Sequence, residues 1–203
     1  MKRLLSILLA VFIFSILTSC NSTKPASLKN EISPAELTTE QQDIIDLLSI
    51  PDNSELMIFN YNTEDTYRRF EVWVEVYQDG EIISQPAGIG LNSDTAEKHS
   101  GRLAISISKN DLSYQWTLSL VENGGKSSHI GRTEAPDDAA LARAYGSINE
   151  SVIIEEGKEI ILYSSVFSGN DILPFYDGIT LQERPELLKD FPVVYLIKCK
   201  FFN

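Results

Sequence analysis

Apolar residues recur along this chain at two different spacings. Between residues 37 and 48 the spacing is helical: Leu37, Gln41, Ile44 and Leu48 share one face, flanked by Ile45 and Leu47. Thr38 followed by Gln41 has the spacing of a capping box, and Pro51 closes the pattern. One apolar stripe predicts a short helix docked on the body of the protein. From Leu56 onward the period drops to two. Residues 56–61 read as a strand. Phe70, Val72, Val74 and Val76 then alternate with Glu71, Trp73, Glu75 and Tyr77, as in a half-buried strand. Asp79-Gly80 supplies a tight turn, and Ile82-Ile83 begins the return. Leu103, Ile105 and Ile107 repeat the alternation. So do Tyr114, Trp116, Leu118 and Leu120, up to a second turn at Asn123-Gly124.

The two hairpins correspond under a shift of 44 residues, which superposes Phe70 on Tyr114, Gly80 on Gly124 and Ser84 on Ser128. The match is either an internal repeat or two amphipathic hairpins sharing a pattern. Residues 136–146 break the rhythm. Their alanines favour a short helix stopped by Gly146. Val152-Ile153-Ile154 and residues 159–163 read as a hairpin around Gly157, with the second strand running toward Phe167. Residues 183–190 hold helical turns around Leu187 and Leu188. Past Pro192 a last strand puts Val193, Tyr195, Ile197, Cys199 and Phe201 on one face, opposite Lys198 and Lys200. Strands joined mostly by hairpins predict a mainly β fold: an antiparallel two-sheet β-sandwich with short helical additions. A partly open barrel is the alternative.

The amino terminus follows different rules. Lys2 and Arg3 precede an apolar run over residues 4–17, too short for a membrane span and suited to a signal-peptide core. Leu17-Thr18-Ser19-Cys20 follows. This segment resembles the lipobox of bacterial lipoproteins, in which a branched apolar residue and two small ones precede a cysteine. The resemblance covers the first 20 residues only. It implies cleavage between Ser19 and Cys20 and a diacylglycerol thioether on the Cys20 sulfur, which is nucleophilic once ionised. The organisation is then a signal peptide over 1–19, a lipidated cysteine and polar flexible tether over 20–35, and a single domain over 36–203. Two acyl chains anchor firmly where one is marginal. Asn21, where aspartate would mark inner-membrane retention, implies the outer membrane in a diderm cell.

Charge narrows the partners. Seventeen Lys and Arg against 29 Asp and Glu give a net charge of −12, and losing Lys2 and Arg3 with the leader takes it to −14. Such a chain repels phosphate backbones, so no nucleic-acid partner is expected. It also repels anionic lipid, so the domain should stand off the membrane. The expected partners are the membrane, through the anchor, and an envelope protein or glycan. With Cys20 acylated, Cys199 has no disulfide partner and reads as a buried core thiol.

No catalytic constellation emerges, and neither a cofactor nor a metal is expected. His99 and His129 stand apart from any histidine or cysteine cluster. Glu64-Asp65, Asn92-Ser93-Asp94 and Asn170-Asp171 have oxygen ligands for calcium but no EF-hand spacing, and read as solvated turns. Gly88-Ile89-Gly90 lacks the third glycine of a dinucleotide loop. Gly124-Gly125-Lys126-Ser127 lacks the first glycine of a P-loop, because Ser119 stands there. Glu71 and Glu75 share a face but lie roughly 13 Å apart along a strand, too far for paired glycosidase carboxylates. The candidate binding surface is Trp73 with Tyr77, interleaved with those glutamates. Such a face stacks on sugar rings or cations, or anchors a protein, unless a neighbouring element packs over it. The expected function is a non-enzymatic binding module of the cell envelope. A tethered hydrolase of envelope polymers is the alternative.

Overall fold

The computed structural model describes residues 30–47, 50–51, 53–110, 112–136, 141–169 and 176–203. Signal peptide, lipobox, Ser19 and Cys20 lie outside this set, as does Asn170-Asp171. The described residues form two six-stranded antiparallel sheets facing one another, as the alternation predicts, and they do not close into a barrel.

The first sheet comprises β1 (Glu31–Pro34), β2 (Ser54–Asn62), β6 (Ser100–Lys109), β7 (Ser113–Glu122), β8 (Gly125–Glu134) and the two-residue β10 (Val152–Ile153), in the order β10-β1-β2-β6-β7-β8. The second comprises β3 (Tyr67–Gln78), β4 (Glu81–Ser84), β5 (Gly88–Glu97), β9 (Ala142–Ser147), β11 (Glu159–Ser168) and β12 (Val193–Phe202). Its order is β4-β3-β12-β11-β9. β3 is long enough to carry two partners on one edge, β4 at residues 76–78 and β5 at residues 67–73.

The inward faces make the core. Phe70, Val72 and Val74 of β3, Trp116 and Leu118 of β7, and Ile197, Cys199 and Phe201 of β12 are all fully buried. Rings dominate it: Phe70 stacks on Phe201 with centroids 4.1 Å apart, and Trp116 meets Tyr195 edge-on at 5.2 Å. Burial in this apolar setting pushes the Cys199 thiol far above its usual range. The Asp79-Gly80 and Asn123-Gly124 turns put both central residues at positive φ, with Asp79 at 51°, Gly80 at 82°, Asn123 at 49° and Gly124 at 78°. That twist suits a two-residue hairpin. The two similar hairpins, β3–β4 and β7–β8, lie in opposite sheets, with Phe70 and Tyr114 both turned into the shared core.

Two polar clasps tie the sheets together. His99, between β5 and β6, is buried with both ring nitrogens facing acceptors: Nδ1 lies 3.1 Å from Glu122 Oε1 and Nε2 lies 3.0 Å from the Tyr67 carbonyl. Each acceptor calls for a proton, so the ring is an imidazolium. Its hydrogen bond to Glu122 outweighs burial and raises the His99 pKa. Burial pushes the Glu122 carboxyl upward, but His99 and the Tyr61 hydroxyl outweigh it and hold the carboxyl low. On the other side Arg143 of β9 pairs with Glu55 of β2 at 2.7 Å and donates from Nε to Ser165 Oγ at 2.7 Å.

Several expectations are corrected. The tether does not reach residue 35, because Glu31–Pro34 is already β1, paired with β2 and β10. The helix α1 (Thr39–Leu47) has its capping box, with Thr38 Oγ1 accepting from Gln41 N at 3.2 Å and Gln41 Oε1 from Thr38 N at 3.0 Å. It does not dock: none of its residues is buried, and Leu47 is 82% exposed. Its stripe is short and broken by Gln41, so little apolar area is available to bury. The helix expected at 136–146 is not found in its described part, where Ala142, Arg143 and Ala144 pair with Ser168, Phe167 and Val166 of β11. Ladder bonds there override alanine's weak helix preference. Val152-Ile153 makes no hairpin with β11, since the Gly157 turn carries the chain from one sheet to the other. Asn92-Ser93-Asp94 lies within β5, not in a turn.

Candidate functional site

The outer face of the second sheet is divided in two. One half is roofed by α2 (Gly178–Glu183) and the 3-10 helix Pro185–Asp190. Under that roof Tyr77, Ile161, Val194 and Leu196 form a second small core with Leu181, Leu187 and Leu188. The other half is open. There the outward residues of β3, β5 and β12 line a cleft of about 530 Å³.

Antiparallel pairing sets what faces what. Trp73 stands opposite Gly88 on β5 and Lys198 on β12. Glu71 stands opposite Gly90 and Lys200, and Lys200 in turn pairs with Glu159 of β11. Gly88 and Gly90 leave β5 without side chains beside Trp73 and Glu71, while Ile89 and Leu91 pack toward the core. Trp73 and Phe202 therefore wall a hollow floored on one side by bare backbone. A further hollow of about 480 Å³, bordered by Arg68, Arg69 and Asp94, shares Glu71 and Asn92 with it.

The boundary between the two halves is a buried ionic network. Glu75, 5% exposed, accepts from Trp73 Nε1 at 2.8 Å on Oε1 and from the Tyr77 hydroxyl at 2.6 Å on Oε2. Lys198 Nζ lies 2.7 Å from the same Oε2 and 3.1 Å from Glu159 Oε2. Burial pushes the Glu75 carboxyl upward, but the hydrogen bonds from Lys198, Tyr77 and Trp73 prevail and keep it a carboxylate. Tyr77 is pushed up to about 12, by burial first and then by its bond to Glu75. For Lys198, burial favours the neutral amine, but its bonds to Glu75 and Tyr77 overcome that and raise its pKa. Every group in this network is fixed in one protonation state near neutrality.

Of the two aromatics expected to present a surface, Trp73 borders the open cleft and Tyr77 does not. Tyr77 is 7% exposed, and the helical roof covers it. The surface pair is corrected to a single aromatic backed by a buried tyrosine. Glu71 and Glu75 fall in different settings, one in the cleft and one beneath its edge. Sequence reasoning missed Lys198, Glu159, Gln85, Phe202 and the glycine pair. The alternation Gly88-Ile89-Gly90-Leu91 was the available signal for β5, and the two lysines of β12 were the signal for a charged outer face.

His129 sits away from this cleft, on β8, where Gly88 N donates to its Nδ1 at 3.4 Å. Glu64-Asp65 is a loop closed by Asn30, whose Oδ1 accepts from both backbone nitrogens at 2.6 and 3.0 Å. Among the described residues no group of three or more His, Cys, Asp or Glu could hold a metal, and no helix is long and apolar enough to cross a membrane. A family model described as the YgaN domain matches residues 31–201. No curated protein and no solved structure matches the chain.

Proposed function

The chain belongs to the YgaN domain family, and from its residues we propose that it is a lipid-anchored, extracytoplasmic binding module of the cell envelope, held by Cys20 and binding its partner in the cleft beside Trp73. The anchor rests on the Leu17-Thr18-Ser19-Cys20 segment and the basic and apolar stretches before it. The observation that carries the binding role is the locked network behind the cleft. Glu75, Lys198 and Tyr77 are spent on one another and on the Trp73 indole. Catalysis by proton transfer needs groups near their titration point. Groups held far from it build a rigid wall, and a rigid wall favours binding by lowering the ordering cost.

The test is made on native material. Mass spectrometry of the membrane-extracted protein should show an amino terminus at Cys20 carrying acyl mass. Cys20→Ala should leave the domain folded and move it out of the membrane fraction. An intact Met1, or a Cys20→Ala protein that stays in membranes, overturns the anchor.

A further inference from the structure

Resting on the reading of the cleft as a binding site, we infer that its ligand is an uncharged oligosaccharide, laid along the joined hollows with one sugar ring against Trp73.

The first argument is charge. The joined hollows carry Glu71, Asp94 and Glu159 against Arg68, Arg69 and Lys200, three acids and three bases. In a chain of net charge −12 this is a locally balanced surface. An anionic ligand meets the glutamates and a cationic ligand meets the lysine and arginines, so neither sign is favoured. A neutral, hydroxyl-rich ligand can use all of them, because carboxylates accept and guanidinium or ammonium groups donate. The exposed amides of Gln85 and Asn92 offer both functions at once.

The second argument is shape. The Trp73 N–H is already taken by Glu75, so only the π face of the indole is left for a ligand. Aromatic faces hold the apolar face of a sugar ring, and a ring fixed in advance loses little entropy on contact. The absence of side chains at Gly88 and Gly90 clears the space beside that face. The hollows, about 530 and 480 Å³, run into one another through Glu71 and Asn92, giving length for more than one ring.

The chain has two tryptophans, and Trp116 is fully buried, so a ligand-induced change in emission reports on Trp73. The detergent-solubilised full chain is titrated with β-1,4-linked tetramers of glucose and of N-acetylglucosamine, and with a tetramer of galacturonate. A saturable emission shift with a neutral tetramer is expected, with the galacturonate at least tenfold weaker. Trp73→Ala should weaken binding about tenfold or more, as for a central aromatic contact. Gly88→Val fills the space beside Trp73, while its Cβ finds no neighbour nearer than 3.7 Å. That variant should fold with wild-type stability and lose binding, separating site loss from unfolding. No shift with either neutral tetramer overturns the inference, as does unchanged affinity in Gly88→Val. A shift with galacturonate alone overturns it too, while sparing the cleft as a binding site. Membrane fractionation of Cys20→Ala tests the anchor independently of all these outcomes.

Discussion

Trp73 and Glu75 sit two residues apart on the same face of β3, and the indole Nε1 donates to the carboxylate at 2.8 Å. The bond couples an exposed aromatic to a buried charge, because the same carboxylate also holds Lys198 at 2.7 Å. What orients the ring is therefore an ion pair made with a strand more than 100 residues further along the chain.

Glu75→Gln leaves Lys198, with its side chain 12% exposed, facing a neutral amide, with Glu159 as its remaining carboxylate. Removing one partner of a buried pair typically costs about 3 kcal/mol. The urea midpoint should fall accordingly, with an unchanged slope. Glu75→Gln combined with Lys198→Met should lose less than the two single losses added. Strict additivity would mean that the two groups are not coupled.

The His99–Glu122 clasp gives stability a pH dependence at both ends. The folded pKa of His99 is raised, so its contribution is complete below the unfolded value of about 6.5 and fades as pH rises through the folded pKa. That of Glu122 is lowered, so its contribution is complete above an unfolded value near 4.3 and fades as pH falls through the folded pKa. The clasp is strongest between those limits. The charged groups acting on His99 are Glu122 and Glu97. Urea midpoints across pH 4–9 should decline on the alkaline side for the wild type and stay flatter for His99→Gln. Equal alkaline slopes would refute a charged His99.

Cys199 is fully buried, and its thiol is held protonated. It should be inert to an aromatic disulfide reagent in the native protein and react once the chain is unfolded. With the Cys20 sulfur in a thioether, the denatured native protein yields one thiol per chain. A yield of two would contradict the acylation.

Gly131 on β8 is packed against the 85–87 segment, and a Cβ there would strike the Pro86 carbonyl and the Ala87 side chain. Backbone cannot yield as a flexible side chain does. Gly131→Ala should therefore destabilise by about 2 kcal/mol or more, read from thermal unfolding. An unchanged melting temperature would show that this packing is looser than drawn.

Strands that bury one face were legible from their own residues. Phe70 to Val76, Tyr114 to Leu120 and Val193 to Phe201 alternate because water lies, or a second layer packs, on one side only. β5 was not legible, since its apolar content is Ile89 and Leu91 between glycines and the rest is polar. It exists through its ladder with β3. Ala142 to Ala144 misled for a related reason: pairing with β11 outweighs a preference of tenths of a kcal/mol per residue. The site was half visible. Aromatics interleaved with acids marked β3, but nothing local reveals that Lys198 lies against Glu75, or that the helical roof covers Tyr77 and stops short of Trp73. Those facts belong to topology.

β1 has a neighbour on each flank, with Glu31 opposite both Asn62 and Ile153, and Asn30 just before it is tied to the 64–65 loop and to Ile154 N. On the anchored reading, traction from the bilayer enters the domain through this strand. Tension along β1 must shear two ladders side by side, where a rim strand would unzip bond by bond. The leash is thus fastened to an interior stave of the sheet, which suits a body that has to keep its grip while pulled.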